Sequence, residues 1–214
     1  LKDINRAMKI TSIILTIPIA IVITLGKEFF SLWVPTQDAK LLQILSILAI
    51  LGYMFTSGTQ ILYNVFSTVN KVKPNAIAMV SSGAVSVLIT TLLIKFTDLG
   101  IYAVAGVSTF VNLVRNMTFT LPSTAKYLGY KWNKFYPQVI NTVISSVLLL
   151  VIYHFIHKIL PSGSWLSLII SACILGVIGL IINIMLMLNK TERKFLFDKF
   201  DRKLHISKFI HRGK

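Results

Sequence analysis

The sequence predicts an all-α fold: a polytopic membrane bundle of six transmembrane helices. Three observations lead there. Leu41 to Asn70 runs for thirty residues without a charged side chain, closed at either end by Lys40 and Lys71. A helix rises about 1.5 Å per residue and a bilayer's hydrocarbon core is about 30 Å thick, so this run crosses with a turn or two to spare. The composition agrees: 55% of the 214 residues are hydrophobic and mean hydropathy is +0.75. Only 14% are charged, against about 25% in an ordinary soluble domain. Finally, 18 of the 22 Lys and Arg fall on the inner side, in the N-terminal lead-in, the inner connectors with the adjoining Arg115, and the tail, when the chain is threaded as six spans with its N-terminus inside. That asymmetry predicts both termini on the cytoplasmic side.

Taken in order, residues 1–9 form a short basic lead-in and span 1 covers 10–32. Pro18 lies within span 1 and predicts a kink, because it removes one backbone donor and presses on the preceding turn. Trp33 and Pro35 mark an interface and a turn. Span 2, residues 41–69, carries Tyr53, Ser57, Gln60, Asn64 and Ser67 at spacings that place them on one side of a helix. Lys71 to Asn75 reads as a tight basic turn. Span 3 covers 75–94, with Ala78, Ser82 and Ser86 at intervals that permit close helix approach. Span 4, 101–121, ends in a second polar seam of Ser108, Asn112, Arg115 and Asn116. A loop over 122–134 holds Lys126, Lys131 and Lys134 beside Tyr127, Tyr130 and Trp132. Span 5 covers 135–157 and span 6 covers 165–188, where Ala172 and Gly176 offer another close-packing pair.

The tail, 190–214, sets Phe197, Phe200 and Leu204 at helical spacing among basic residues. Two readings stand: a helix lying on anionic inner-leaflet lipids, or a solvated extension that only enforces topology. The formal net charge of +15 does not point to nucleic acid, because the basic residues are dispersed through loops and tail. Cys173 is the only cysteine, so no intramolecular disulfide forms. The chain opens on Leu1 with charged residues close behind and shows no signal-peptide pattern; it reads as a fragment of a longer protein.

Catalytic constellations are not visible. All seven acids lie in loops, at span edges or in the tail, and no Gly-rich phosphate loop or Ser/His/Asp set is present. No enzyme activity, cofactor or metal is expected. His154 and His157 share one helix face and fit either a metal pair without a third ligand or interfacial helix-end histidines. Arg115 has two readings: a snorkelling anchor, or an arginine in a cytoplasm-open cavity whose planar fork takes a phosphate. Gln60 and Asn64 likewise either hydrogen-bond between helices or line that cavity. The candidate cavity-lining, substrate-binding set is therefore Ser57, Gln60, Asn64, Asn112 and Arg115.

Three segments carry a family resemblance. Pro18 to Trp33 ends in Phe29-Phe30-Ser31-Leu32-Trp33; Leu41 to Asn75 is a long helix closing on Lys71-Val72-Lys73; and Leu99 to Gly106 reads LGIYAVAG. Together they resemble bacterial polysaccharide flippases of the MATE-like MOP superfamily, in their C-terminal region. Asn70 stands where that family usually has Gly before the basic turn, and Ala103 replaces the second Gly of the helix entry. The resemblance implies the last six of about fourteen helices of a transporter whose N-terminal half is missing here. It also implies a location in the bacterial cytoplasmic membrane. The cargo it implies is an undecaprenyl-pyrophosphate-linked oligosaccharide, moved between leaflets by alternating access. The alternatives are a MATE-type multidrug exporter, whose cationic cargo favours acidic groups these spans lack, and a membrane-embedded polysaccharide polymerase or acyltransferase, for which the outer loops leave little room.

Overall fold

The computed structural model describes residues 1–161 and 163–195, whose regular elements are all helices joined by short turns, with no strand among them. The helices are α1 (Lys2–Trp33), α2 (Ala39–Thr56), α3 (Gln60–Thr68), α4 (Val72–Phe96), α5 (Gly100–Arg115), α6 (Leu121–Tyr127), α7 (Tyr136–His157) and α8 (Trp165–Met187). Phe197, Phe200 and Leu204, and with them the amphipathic reading of the tail, lie outside the described residues.

The hub is α1, not the long uncharged run that follows it. Met8, Ser12, Thr16 and Ala20 recur every four residues; with Ile13 and Leu25 they are buried, Met8 against α3, α6 and α7 and the others against α2, α7 and α8. α1 begins eight residues before the expected start of span 1, since nothing between Lys2 and Ile10 breaks a helix and Arg6 reaches back to Asp3. It continues through Pro18, whose side chain is exposed. Asp38 caps α2 by accepting from the backbone N–H groups of Lys40 at 2.9 Å and Leu41 at 3.1 Å.

Two spans are less regular than their hydropathy suggests. Span 2 is interrupted by a 3₁₀ turn over Ser57–Thr59. There the hydroxyls of Thr56, Ser57 and Thr59 donate back to the carbonyls of Gly52, Met54 and Thr56, a habit that bends helices. Span 4 does not stop at Pro122. A π-helical turn over Asn116–Thr120 joins α5 to α6, and the backbone keeps right-handed helical angles at both junctions. The wider turn accommodates a proline that would otherwise collide with the carbonyl four residues back. The expected loop from 122 is therefore helical to Tyr127. Five helical segments are each long and apolar enough to cross a membrane: α1, the Ala39–Thr68 run, α4, α7 and α8. The 16-residue α5 reaches a comparable length only with its π turn and α6. The chain is a multi-pass helical membrane protein.

The chain reversal before α4 occurs over Val69–Lys71, earlier than the basic turn expected at 71–75. Asn70 adopts φ 55°, and the Lys71 N–H donates to the Phe66 carbonyl at 2.7 Å while that of Asn70 donates to Ser67 at 3.2 Å. This is a Schellman closure, for which Asn is the usual second choice after Gly. The departure from glycine at position 70 thus keeps the backbone geometry. Lys73 and Pro74 fall in the first turn of α4, where the missing proline N–H has no helical partner to lose.

Polar groups hold the core of the bundle together. Asn183 of α8 is fully buried; its amide donates to Thr16 Oγ1 at 2.9 Å and its carbonyl accepts from Ser145 at 2.8 Å. Thr142 donates to Ser12 at 3.1 Å, so α1, α7 and α8 share one network. Such bonds are the usual glue between membrane helices. Ala172 packs against the buried cluster around Leu25 and Leu175; a side chain at Gly176 would touch only Ile21, whereas one at Gly52 would meet Thr109 and one at Gly179 would meet Tyr153.

Candidate functional site

α4 and α5 are antiparallel neighbours joined by a short turn, and each presents polar side chains at helical intervals. Ser82 and Ser86 lie four apart on α4; Ser108, Asn112 and Arg115 follow each other on α5. The two stripes meet. Ser86 and Ser108 share a hydrogen bond at 2.9 Å, and Arg115 Nη1 donates to Ser82 at 3.3 Å. Between the helices lies a groove of ≈ 400 Å³ lined by Ser82, Gly83, Ser86, Ser108, Asn112 and Arg115, with Met79, Val87 and Val111 completing its walls. Ser86 is the only α4 side chain that is buried, so the groove opens at the edge of the bundle.

Arg115 dominates its electrostatics. Nη2 donates to the Tyr63 hydroxyl at 2.7 Å, and the guanidinium carbon sits 5.7 Å from the centre of the Tyr63 ring, within reach of a cation–π contact. Tyr63 in turn donates to Asn116 Oδ1 at 2.6 Å, which also accepts from Thr120 at 3.1 Å. Among the described residues no carboxylate pairs with Arg115. Its Nε is buried without a hydrogen-bond partner. A half-buried guanidinium held by neutral oxygens retains spare donors, the arrangement that suits an anionic oxygen group.

The five residues expected to line one cavity do not converge. Asn112 and Arg115 share the groove. Ser57 is buried and its hydroxyl is bound to the Met54 carbonyl at 3.2 Å. Gln60 is half-buried and Asn64 exposed on α3, and neither lines the groove. The 3₁₀ turn is the reason: three residues at about 120° each rotate α3 by about 60° relative to an unbroken helix, so the polar stripe of span 2 is split. Tyr63 reaches Arg115 instead, and a hydropathy reading passes over it because a tyrosine near a span end is an ordinary interfacial residue. Ser82 and Ser86, expected only as small packing residues, are wall residues of the groove. His154 is exposed; His157 Nε2 lies 3.1 Å from Glu28 Oε1, tying α7 to α1.

The chain is 25% identical over 197 residues to a protein of Bacillus subtilis (strain 168) described as uncharacterized membrane protein EpsK. That stretch covers 92% of the chain but 39% of the relative's length. No family model matches the sequence, and no solved structure matches it.

Proposed function

We propose that this chain is part of a flippase that moves an undecaprenyl-pyrophosphate-linked oligosaccharide across the bacterial cytoplasmic membrane for cell-surface polysaccharide biosynthesis. It is the C-terminal six-span region of a transporter whose other half completes the cavity, with both termini cytoplasmic and its basic segments against anionic inner-leaflet lipids. The observation that carries this reading is Arg115: a cation in a membrane bundle, held among the described residues by neutral partners, at the wall of a polar groove. A sugar-pyrophosphate head group needs polar walls and cationic donors to replace its hydration, while its lipid tail stays in hydrocarbon. The same groove is poorly suited to a cationic drug, which an unpaired arginine repels. The MATE-like resemblance and the similarity to a bacterial membrane protein over most of the chain agree with this assignment.

The test is leaflet accessibility of lipid-linked oligosaccharide in vesicles containing the full-length transporter. Arg115→Ala at equal membrane abundance is expected to slow translocation about tenfold or more, the value of one charge-assisted hydrogen bond. Arg115→Lys, which keeps the charge but not the planar fork, falls between. Normal transport by Arg115→Ala would leave Arg115 a snorkelling anchor and remove the groove's role.

A further inference from the structure

Arg115 does not set its own position. Its two hydrogen bonds go to side chains on other helices, Ser82 on α4 and Tyr63 on α3, and the shorter of them is the bond to Tyr63. The phenol hydroxyl is used twice, accepting from Arg115 and donating to Asn116. Asn116 is buried, the first residue of the π turn, and its amide oxygen is held from the other side by Thr120 at the end of that turn. The phenol therefore joins two irregular stretches, since α3 itself emerges from the 3₁₀ turn at Ser57–Thr59. Two departures from α-helical geometry in neighbouring spans are clasped together at the arginine. Such departures concentrate where side-chain placement matters more than helix regularity.

We propose that Tyr63 is the positioning residue of the anion site. Its ring backs the guanidinium and its hydroxyl fixes one corner of the fork, so that the remaining Nη N–H groups face the groove beside Asn112. Through Asn116 the same hydroxyl makes that placement depend on the π turn. This rests on the reading of Arg115 as the group that meets a lipid pyrophosphate, and it adds the residue that determines how well Arg115 does so. A long, unbranched arginine side chain loses considerable rotamer freedom when it is fixed, and a partner that fixes it beforehand shifts that cost out of the binding step.

The experiment measures binding of farnesyl pyrophosphate, a short lipid pyrophosphate, to the full-length transporter in phosphatidylcholine nanodiscs, with inorganic pyrophosphate as a second arm. Arg115→Ala is expected to weaken binding about tenfold or more, and Tyr63→Phe, which keeps the ring and loses the hydroxyl, by about three- to tenfold. In the Arg115→Ala background, Tyr63→Phe should cause no further loss, because a positioning residue has nothing left to position. Asn116→Ala, two links from the ligand, should repeat the Tyr63→Phe effect at smaller size, and it carries the test if Tyr63→Phe does not accumulate in membranes. In transport, Tyr63→Phe should raise the cargo concentration for half-maximal rate and leave the maximal rate within twofold. Binding that is weakened by Arg115→Ala but unchanged by Tyr63→Phe and Asn116→Ala would overturn the role of Tyr63 alone. Equal losses from Tyr63→Phe with and without Arg115 would do the same, marking the hydroxyl as a packing group. Wild-type binding that ignores Arg115→Ala would overturn the anion site and this proposal with it.

Discussion

Gly52 offers the sharpest test of how α2 and α5 meet. A Cβ placed there would stand 2.5 Å from Thr109 Cγ2 and 3.1 Å from the Thr109 carbonyl oxygen. Ordinary carbon–carbon contacts lie at about 3.5–4.0 Å, so the first distance is short by about 1 Å. Thr109 cannot simply turn away, because its Oγ1 donates to the Ala49 carbonyl on α2 at 2.6 Å and a β-branched side chain has few alternative rotamers. Gly52→Ala must therefore either separate the helices or break that bond, at a cost of about 1–3 kcal/mol. Thr109→Ser removes the offending methyl and retains the hydroxyl. In that background the added methyl meets only the carbonyl oxygen, and the penalty should fall by about half or more. Unfolding of the four proteins in defined detergent micelles, by heat or by SDS titration, gives the coupling directly, expected near 1 kcal/mol in favour of the double variant. Penalties that add to within about 0.3–0.5 kcal/mol would refute the close contact between the two helices.

Asn183 should be the most sensitive polar residue of the core: Asn183→Ala removes its bonds to Thr16 and Ser145 and leaves both hydroxyls without that partner, costing about 1–3 kcal/mol in the same unfolding assay. The Glu192 carboxylate accepts from Lys9 Nζ at 3.0 and 2.8 Å and from the Asn189 N–H at 2.9 Å. Burial raises its pKa, but the bonds from Lys9 and Asn189 and the charges of Lys9 and Arg6 outweigh that and hold it below the ordinary value of 4.5. Because the folded value lies below the unfolded one, the stabilisation is present in full above about pH 4.5 and is lost as pH falls through the lowered folded value. The stability gap between the native protein and Glu192→Gln should accordingly be widest near neutral pH and close in acid; a gap that is constant from pH 7 to pH 3 would count against the pair.

Much of the architecture is legible in a one-dimensional reading. Helix class, the positions of α1, α4, α7 and α8 and the break at Trp33–Asp38 follow from runs of apolar residues bounded by charges, caps and prolines. Lipid demands that backbone groups be satisfied within each segment, so an uncharged run of sufficient length has essentially one outcome. Two of the five candidate residues share one groove for the same reason: Asn112 and Arg115 lie on one regular helix, where spacing in sequence is spacing on a face. The reading failed where a helix changes its pitch. Ser57 opens the 3₁₀ turn, and Gln60 and Asn64 beyond it are rotated away from the stripe that an ideal helix assigns them.

The sequence by itself determined that this protein is a bundle of membrane-crossing helices, with an arginine near the end of one of them. Only the tertiary structure decided that α1 is the hub, that Gly52 rather than Gly176 is a point of close approach, and that Tyr63 holds Arg115. The division has a physical cause. Hydropathy and helix period are local properties, fixed by residues within a few turns of one another. Which side chain fills the space beside another depends on which helices meet and at what rotation, and in a bilayer that choice is made by packing and hydrogen bonding between segments far apart in the chain.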